Sequence, residues 1–469
     1  MRFSVKEISL YEREVKFRLP FRYGVVTLTG APQAFARATI ETEKGQRGEG
    51  AAAEMLAPKW FDKDPSLTNE QNFDQLRNSL FMARDSYLAA EPNTAFGHSI
   101  DVYGPQIAMG AVTGLNSLVA CYGPALIDRA ILDALCRALG ISFYQAIERN
   151  VPGVSAPGWQ ADLMAFDMEN YLETLGPKKE IAARHTVGLV DPITAADAKE
   201  RVGDGLPETL EEVVQRYGHR WFKLKVSGDA KADVERLAHI ASVLDKLGDP
   251  YQATLDGNEQ FDDADAVLAL WRAMRSDARL KRLVSSVAYI EQPIKRQNAL
   301  MGDVSEIAEE KPVIIDESDD SLEAYPRARR LGYAGVSSKT CKGLYRSLLN
   351  SARCLLWNRE EGSNRYFMSG EDLTLQAGLA VQQDFALATL LGLEHVERNG
   401  HHYVNGMAGL PEAEQKAFLE KHADLYESSH GATRLRIEGG KVKIASLAGP
   451  GFASQAMPDW QSMKTMEMK

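Results

Sequence analysis

Apolar positions change their spacing near residue 154, and the change predicts two kinds of element. Before it, "VKEISLYEREVKFRL" and "FARATIETEKGQRGEGAAA" alternate apolar with polar residues, the period of a strand whose side chains point to opposite faces. "NEQNFDQLRNSLFMARDSYLAA" and "PALIDRAILDALCRALG" then switch to helical spacing. Sheet first and helices after predict an α+β module. Beyond residue 154 short apolar runs alternate with amphipathic helices: "PETLEEVVQRYG" precedes "WFKLKV", "DAKADVERLAHIASVLDKLG" precedes "YQATLDGNE", and "DADAVLALWRAMRSD" precedes "VAYIEQP". The same order continues through "PVIIDES", "AGVSSKT" and "YFMSGED". A repeat of about 25 to 35 residues is that of a βα unit, and a long series of them fits a (β/α) barrel better than an open sheet. A doubly wound sheet is the competing architecture, weakened because no GxGxxG follows an early strand.

The expected first barrel strand is "GVSAPGWQADLM". Between it and "PETLEEVVQRYG" lies a stretch at about 167–206, far longer than the usual βα loop of about two to six residues, which reads as an insertion at the rim. It is expected to be a lid, a binding element or an oligomer contact. The predicted division is 1–152 for the α+β module, 153–405 for the barrel and 406–469 for a C-terminal segment.

Composition narrows the class. The chain has 469 residues, 44% hydrophobic and 25% charged, long enough for more than one core, and its net charge of -11 argues against general nucleic-acid binding. No apolar run approaches the roughly 20 residues of a membrane span, and "MRFSVKEISLYEREVKF" lacks the apolar core of a signal peptide. A cytoplasmic protein with no membrane partner is expected. Cys121, Cys136, Cys341 and Cys354 show neither CxxC nor CxxH spacing, so reduced, buried thiols are expected.

Within "WFKLKV", Lys223 and Lys225 share one face with Trp221, while Phe222, Leu224 and Val226 take the other. A half-exposed strand would carry two solvated lysines, whereas a buried one demands partners. Three carboxylates follow apolar runs directly: Asp256 in "ATLDGNEQ", Glu291 in "AYIEQP" and Asp316 in "VIIDES". In a barrel they would stand at the C-terminal rim, where active sites are built. Converging carboxylates repel unless a cation lies between them, and an oxygen-only set selects a hard ion, Mg²⁺ before Zn²⁺. Asn258, two residues past Asp256, is placed to hold a metal-bound water. Lys339, at the end of "GVSSK", lies beyond the acidic strands as Lys223 and Lys225 lie before them. Beside a divalent ion a lysine's neutral form is favoured, which makes it a general base for removing a proton from carbon next to a carboxylate.

"KLK", "DGN", "EQP", "DES" and "SKTCKG", in this order and spacing, resemble the enolase superfamily, and within it the muconate lactonizing enzyme subgroup. "IDRAILDALCRALGISFYQAI" resembles the last helix of that family's capping domain, and "RLRIEGGKVKIASLAGPGFA" its returning C-terminal segment. The resemblance implies an α/β fold: a (β/α) barrel of modified TIM type with an α+β capping domain built from the N-terminus and the C-terminal segment. It implies Asp256, Glu291 and Asp316 as ligands of Mg²⁺, with Mn²⁺ as its substitute. It implies Lys225 and Lys339 as acid/base groups on opposite faces of the substrate, and Lys223 as a stabiliser of the enolate. Lys342 rivals Lys339, and Glu317 shadows Asp316. Strand alternation allows one of each pair to face the centre.

Substrate recognition by the capping domain points to Arg22 or Tyr23 in "FRYGVVTLTG", with a surface hairpin as the plainer reading. Glu371 or Asp372 in "MSGEDLT" could orient a substrate group or only bridge a barrel lysine. His395 reads as structural, and His401 with His402 as a solvated pair, since HExxH spacing is absent. The expected activity is proton abstraction α to the carboxylate of a small molecule through an enediolate, as a racemase or epimerase or a cycloisomerase. Dehydration of an acid sugar ranks lower, because no Asp-x-x-His pair is seen; a catalytically silent barrel is the remaining alternative. The resemblance also implies a homo-oligomer.

Overall fold

The computed structural model describes residues 1–156, 158, 160–373 and 376–468. Three antiparallel strands, β1 (Phe3–Tyr23), β2 (Val26–Thr42) and β3 (Arg47–Met55), open the chain as a meander. On β1 the buried positions run Phe3, Val5, then Ile8, Leu10. That change of parity is produced by a register shift between Val5 and Glu7, since one extra residue flips every later side chain to the other face. Helices Asn69–Ala89 and Ala95–Val112 pack against a third, Ser117–Leu139, which lies across β2 and β3. Thr68 and Gln71 form a capping box on the first, and Asn116 caps the third, whose end is set by Gly140 in the left-handed region. The helix Ser117–Leu139 is buried from Leu118 to Cys136. It lies so close to β3 that a Cβ on Gly50 would fall 2.1 Å from the Ala134 backbone nitrogen, which is why this strand reads "RGEGAAA".

Eight parallel strands then close a barrel: β4 (Glu180–Val187), β5 (Trp221–Lys225), β6 (Gln252–Asp256), β7 (Val287–Glu291), β8 (Val313–Ile315), β9 (Gly335–Ser338), β10 (Phe367–Gly370) and β11 (His395–Glu397). The ring is sealed by β11 on β4, with His395, Val396 and Glu397 opposite Ala182, Ala183 and Arg184. The helix Ala264–Ser276 buries one apolar stripe, Val267, Leu268, Leu270, Trp271 and Met274, whereas Leu379–Leu390 is buried all round. After β11 a single turn, Gly400–Tyr403, replaces a full helix.

The first barrel strand corrects the sequence reading. Residues 161–163 of "GVSAPGWQADLM" form a 3-10 turn, Pro157 and Trp159 lie outside the described residues, and the strand is Glu180–Val187, inside the stretch read as an insertion. Its faces carry Arg184, His185 and Thr186, so no apolar run announced it. The long connection that remains, residues 188–209, is pinned to β1 by Arg18, whose Nε and Nη2 donate to Asp204 at 2.6 and 2.9 Å. The C-terminal segment adds a short strand, Lys441–Lys443, antiparallel to β4 and returns to the N-terminal layer. There Phe452 stacks on Phe143 at 4.0 Å, its amide donates to Asp133 at 2.6 Å, and Lys464–Thr465 pairs with β1. Both ends of the chain therefore build the cap. The four cysteines are buried and free of disulfides. No helix among the described residues is long and apolar enough to cross a membrane.

Candidate active site

Asp256 and Glu291 end β6 and β7 as register partners, and Asp316 follows β8 directly. All three are buried, with at most 1% exposure. The "DGN" turn is tight: Gly257 approaches Pro293 so closely that a Cβ would lie 2.5 Å from its Cα. Asn258 then takes φ 39°, a left-handed conformation that asparagine tolerates. Its amide N–H donates to Asp256 Oδ1 at 2.8 Å and its side-chain Nδ2 to Glu317 Oε1 at 3.2 Å.

Lys223 stands at the centre of these acids. Its Nζ lies 2.9 Å from Asp256, 2.8 Å from Glu291, 2.7 Å from Glu371 and 3.0 Å from Glu397. Lys225 Nζ donates to Asp256 Oδ2 at 2.6 Å, and Lys339 Nζ is 2.9 Å from Asp316 Oδ2. Burial opposes the ammonium of Lys223 and of Lys339, yet the carboxylates outweigh it and hold both above the ordinary lysine range, Asp256 and Glu291 foremost at Lys223 and Asp316 at Lys339. Burial and the neighbouring Asp256 push Glu291 the other way, well above the usual carboxylate range. The chain's own electrostatics thus charge these two lysines; the neutral base expected from the sequence requires a bound cation to offset the acids. The donor set fits one. Buried Glu291 Oε2 and Asp316 Oδ2 meet only an ammonium and accept no hydrogen bond, and oxygen ligands without sulfur or imidazole suit a hard divalent ion.

The two ambiguous pairs resolve differently from strand alternation, because both lie past the strand ends. Residues Thr340–Lys342 form a 3-10 turn, and Lys342 reaches Asp316 as well, with Nζ at 3.3 Å from Asp316 Oδ1 and 3.1 Å from Asp319. Only Lys339 of the two lines the cavity described next. Glu317 is also buried, but it faces Asn258 and Lys63, and burial raises its carboxyl to about 7.

A cavity opens between cap and barrel, lined by Phe21, Tyr23, Trp60, Lys225, Lys339 and Glu397 among others. About 20 Å³ is free at its centre, room for roughly one water. Tyr23 points into it and donates its hydroxyl to Pro58 O at 2.7 Å, whereas Arg22, offered as an alternative contact, alternates to the solvent side of the hairpin and is exposed. Glu371 is not among the residues that line the cavity. It is 2% exposed, bridges Lys223 and the guanidinium of Arg184, and so takes the bridging role. Asp372 lines the cavity and pairs with Arg398.

Several groups went unread in the sequence. Glu397, at the end of β11, accepts from Lys223 and from Thr186 Oγ1 at 2.6 Å; its three-residue strand, His-Val-Glu, has no apolar run to signal it. Arg184 links Tyr289, Gly370 and Glu371 inside the barrel. Trp60 packs its ring 4.5 Å from Lys339 Nζ. His395 stacks on Trp221 at 3.8 Å, a structural role as read. His401 and His402 are no solvated pair: they are 6% and 3% exposed, because the turn after β11 folds inward against the barrel wall.

Residues 205–348 match the family model described as enolase C-terminal domain-like. Among solved structures, the mandelate racemase/muconate lactonizing protein from Herpetosiphon aurantiacus is similar, with 17% identity over 96% of this chain and 98% of that one and a TM-score of 0.60. Muconate lactonizing enzyme from Pseudomonas fluorescens, complexed with muconolactone, shares 15% identity over 98% of both chains at a TM-score of 0.60. N-succinyl Arg/Lys racemase from Bacillus cereus shares 17% over 99% of this chain and 96% of that one at 0.57. No curated protein matches by sequence.

Proposed function

Because residues 205–348 match the enolase C-terminal domain-like family model and the whole chain shares its fold with solved members of that superfamily, we propose that it is an enolase-superfamily enzyme that removes a proton from the carbon α to a substrate carboxylate, as a racemase or epimerase or as a cycloisomerase. One observation carries the reading: Lys225 and Lys339, from β5 and β9, line one cavity from either side of the three acidic strands β6 to β8. Asp256, Glu291 and Asp316 would hold Mg²⁺, or Mn²⁺ in its place, whose charge favours the enediolate as the proton leaves. One lysine takes the proton and the other stands at the opposite face, ready to return it there, which inverts the centre, or to protonate the carbon that remains after ring closure. Lys223, already shared with Glu371 and Glu397, keeps those contacts when Asp256 and Glu291 turn to a cation. Its fixed positive charge beneath the site favours a growing negative charge above it.

The ring of Trp60 holds the Lys339 ammonium in place. Phe21, Tyr23 and Leu28 give the cavity an apolar wall on the side of the cap. No described residue lining the cavity is a histidine, which leaves elimination by a histidine acid without its acid. The neighbours' names direct the substrate search to N-acyl amino acids and muconate-like acids.

The test is α-proton exchange followed by NMR in D₂O with Mg²⁺, for wild type, Lys225→Ala and Lys339→Ala against such a panel. Wild type is expected to wash in deuterium at one α-carbon, and each variant to lose exchange at one face. Undiminished exchange in both variants would refute the roles of the lysines.

A further inference from the structure

Outside the barrel wall, at the seam where β11 meets β4, four histidines are packed together. Strand alternation places His185 there: its neighbours Arg184 and Thr186 point inward to Glu371 and Glu397, so His185 points outward. His219 precedes β5, and His401 and His402 follow β11. His185, His219 and His401 are 2%, 0% and 6% exposed. Their ring centroids lie 5.2 to 5.3 Å apart, and His402 is 5.2 Å from His185.

One ligand nitrogen from each of His185, His219 and His401 can be chosen so that all lie within 4.8 Å of one another. These nitrogens lack partners: His185 Nδ1, His219 Nε2 and both nitrogens of His401 make no hydrogen bond, and neither does His402 Nδ1. Each buried, unsatisfied polar atom carries a cost that packing alone does not return. His219 is oriented by a contact of its Nδ1 to Ala183 O at 2.9 Å, the second-shell arrangement that fixes a tautomer and leaves Nε2 free to ligate. Burial holds all four imidazoles below their ordinary pKa, His219 at about 4 and His402 at about 3, so each is neutral near pH 7, the form a metal requires.

The charged groups facing the cluster are engaged elsewhere. Arg18 pairs with Asp204, Arg398 with Asp372, and Arg434 donates to Asn405 and to the Tyr217 hydroxyl. Glu212, on the His402 side, pairs with Arg201.

We propose that His185, His219 and His401 form a second metal site, for Zn²⁺ or a similar borderline transition ion, distinct from the carboxylates of the barrel mouth. Imidazole nitrogens suit such an ion as oxygen-only ligands do not, and a tetrahedral ion would draw the nitrogens to about 3.3 Å from one another with His402 or water as fourth ligand. The ligands come from β4, from the turn into β5 and from the turn after β11. An ion there would clasp the two joints flanking the first barrel strand, including the three-residue closure of β11 on β4.

The test uses tag-free full-length protein, stripped of metal and supplied with saturating Mg²⁺ to occupy the carboxylates, then titrated with Co²⁺ and Zn²⁺. Expected are one tightly bound equivalent, the visible absorption of tetrahedral Co²⁺, and a higher melting temperature. Both signatures should disappear in His401→Gln and His185→Gln and persist in Asp256→Asn. Wild type that binds no Co²⁺ or Zn²⁺ under these conditions overturns the proposal without reference to any variant's folding. So does a Co²⁺ spectrum that survives both histidine substitutions.

Discussion

Replacing Lys223 with methionine removes one ammonium from four buried carboxylates, but the four do not lose equally. Asp256 keeps Lys225 at 2.6 Å, Glu371 keeps Arg184, and Glu397 keeps the Thr186 hydroxyl and the Asp372 amide. Glu291 keeps no cation, since its contacts at 2.8 and 3.0 Å are both to Lys223. The loss is therefore that of one broken buried pair, about 3–5 kcal/mol, rather than four times that. Burial and Asp256 already hold Glu291 above the usual carboxylate range, so in the variant it should take up a proton as pH falls. The deficit should be largest at alkaline pH and shrink as pH falls. Mg²⁺ adds a second signature. At about 100 times its Kd a ligand specific to the native state contributes about 2.7 kcal/mol. In wild type it must displace Lys223 from Asp256 and Glu291, whereas in the variant it meets uncompensated acids. Urea unfolding of Lys223→Met and wild type at pH 5 and 8, with and without Mg²⁺, gives all four quantities. A metal-free variant as stable as wild type at pH 8, or equal Mg²⁺ stabilisation of the two, would refute this account of the network.

Four further outcomes follow from the same geometry. Asp256→Asn should abolish Mg²⁺-dependent stabilisation while the metal-free chain, short of the carboxylate that pairs with Lys225, still folds but melts lower, as read by thermal melts with and without the ion; activity that persists in a chelator would contradict the metal assignment. Burial raises Asp128 to about 7 against the lowering effects of Tyr87, Ser99 and Arg129, from 3.8 for the free group. The fold therefore favours the neutral acid, a contribution present below about pH 4 and lost as pH rises through about 7, worth about 4 kcal/mol in all; Asp128→Asn should remove that slope from the pH dependence of urea midpoints. Gly50→Ala should destabilise by about 1–3 kcal/mol or more, because its Cβ meets the Ala134 backbone at 2.1 Å, measurable as a lower Tm. Arg22→Ala should leave kcat/KM unchanged, since Arg22 is exposed and only Tyr23 of that pair faces the cavity.

The strands that were legible are those whose apolar face survives. In "WFKLKV" Phe222 and Leu224 are fully buried against the helices, and their run announces β5 even though the opposite face carries two lysines. "ATLD", "YIE" and "VII" work the same way; the first two end in the acid that the barrel brings to its mouth, and Asp316 directly follows the third. Parity failed at "DES" and "KTCK" because those residues lie past the strand ends, where a bend and a 3-10 turn replace the two-residue period.

β4 hid for a deeper reason. "EIAARHTV" carries Arg184 and Thr186 inward, and outward a histidine, His185, interrupts the apolar Ile181, Ala183 and Val187, so the chain between two helices looked like an inserted loop. The polarity that concealed it is what the site uses. Arg184 holds Glu371, Glu371 and Glu397 hold Lys223, and Lys223 holds Asp256 and Glu291 in front of Lys225. An ion pair this deep costs desolvation and adds little net stability, so its value lies in fixing positions: a barrel mouth with three converging acids needs cations that cannot swing away. The strand that least resembled a strand anchors that chain of charges from the inside, and the histidine on its other face reaches the second cluster.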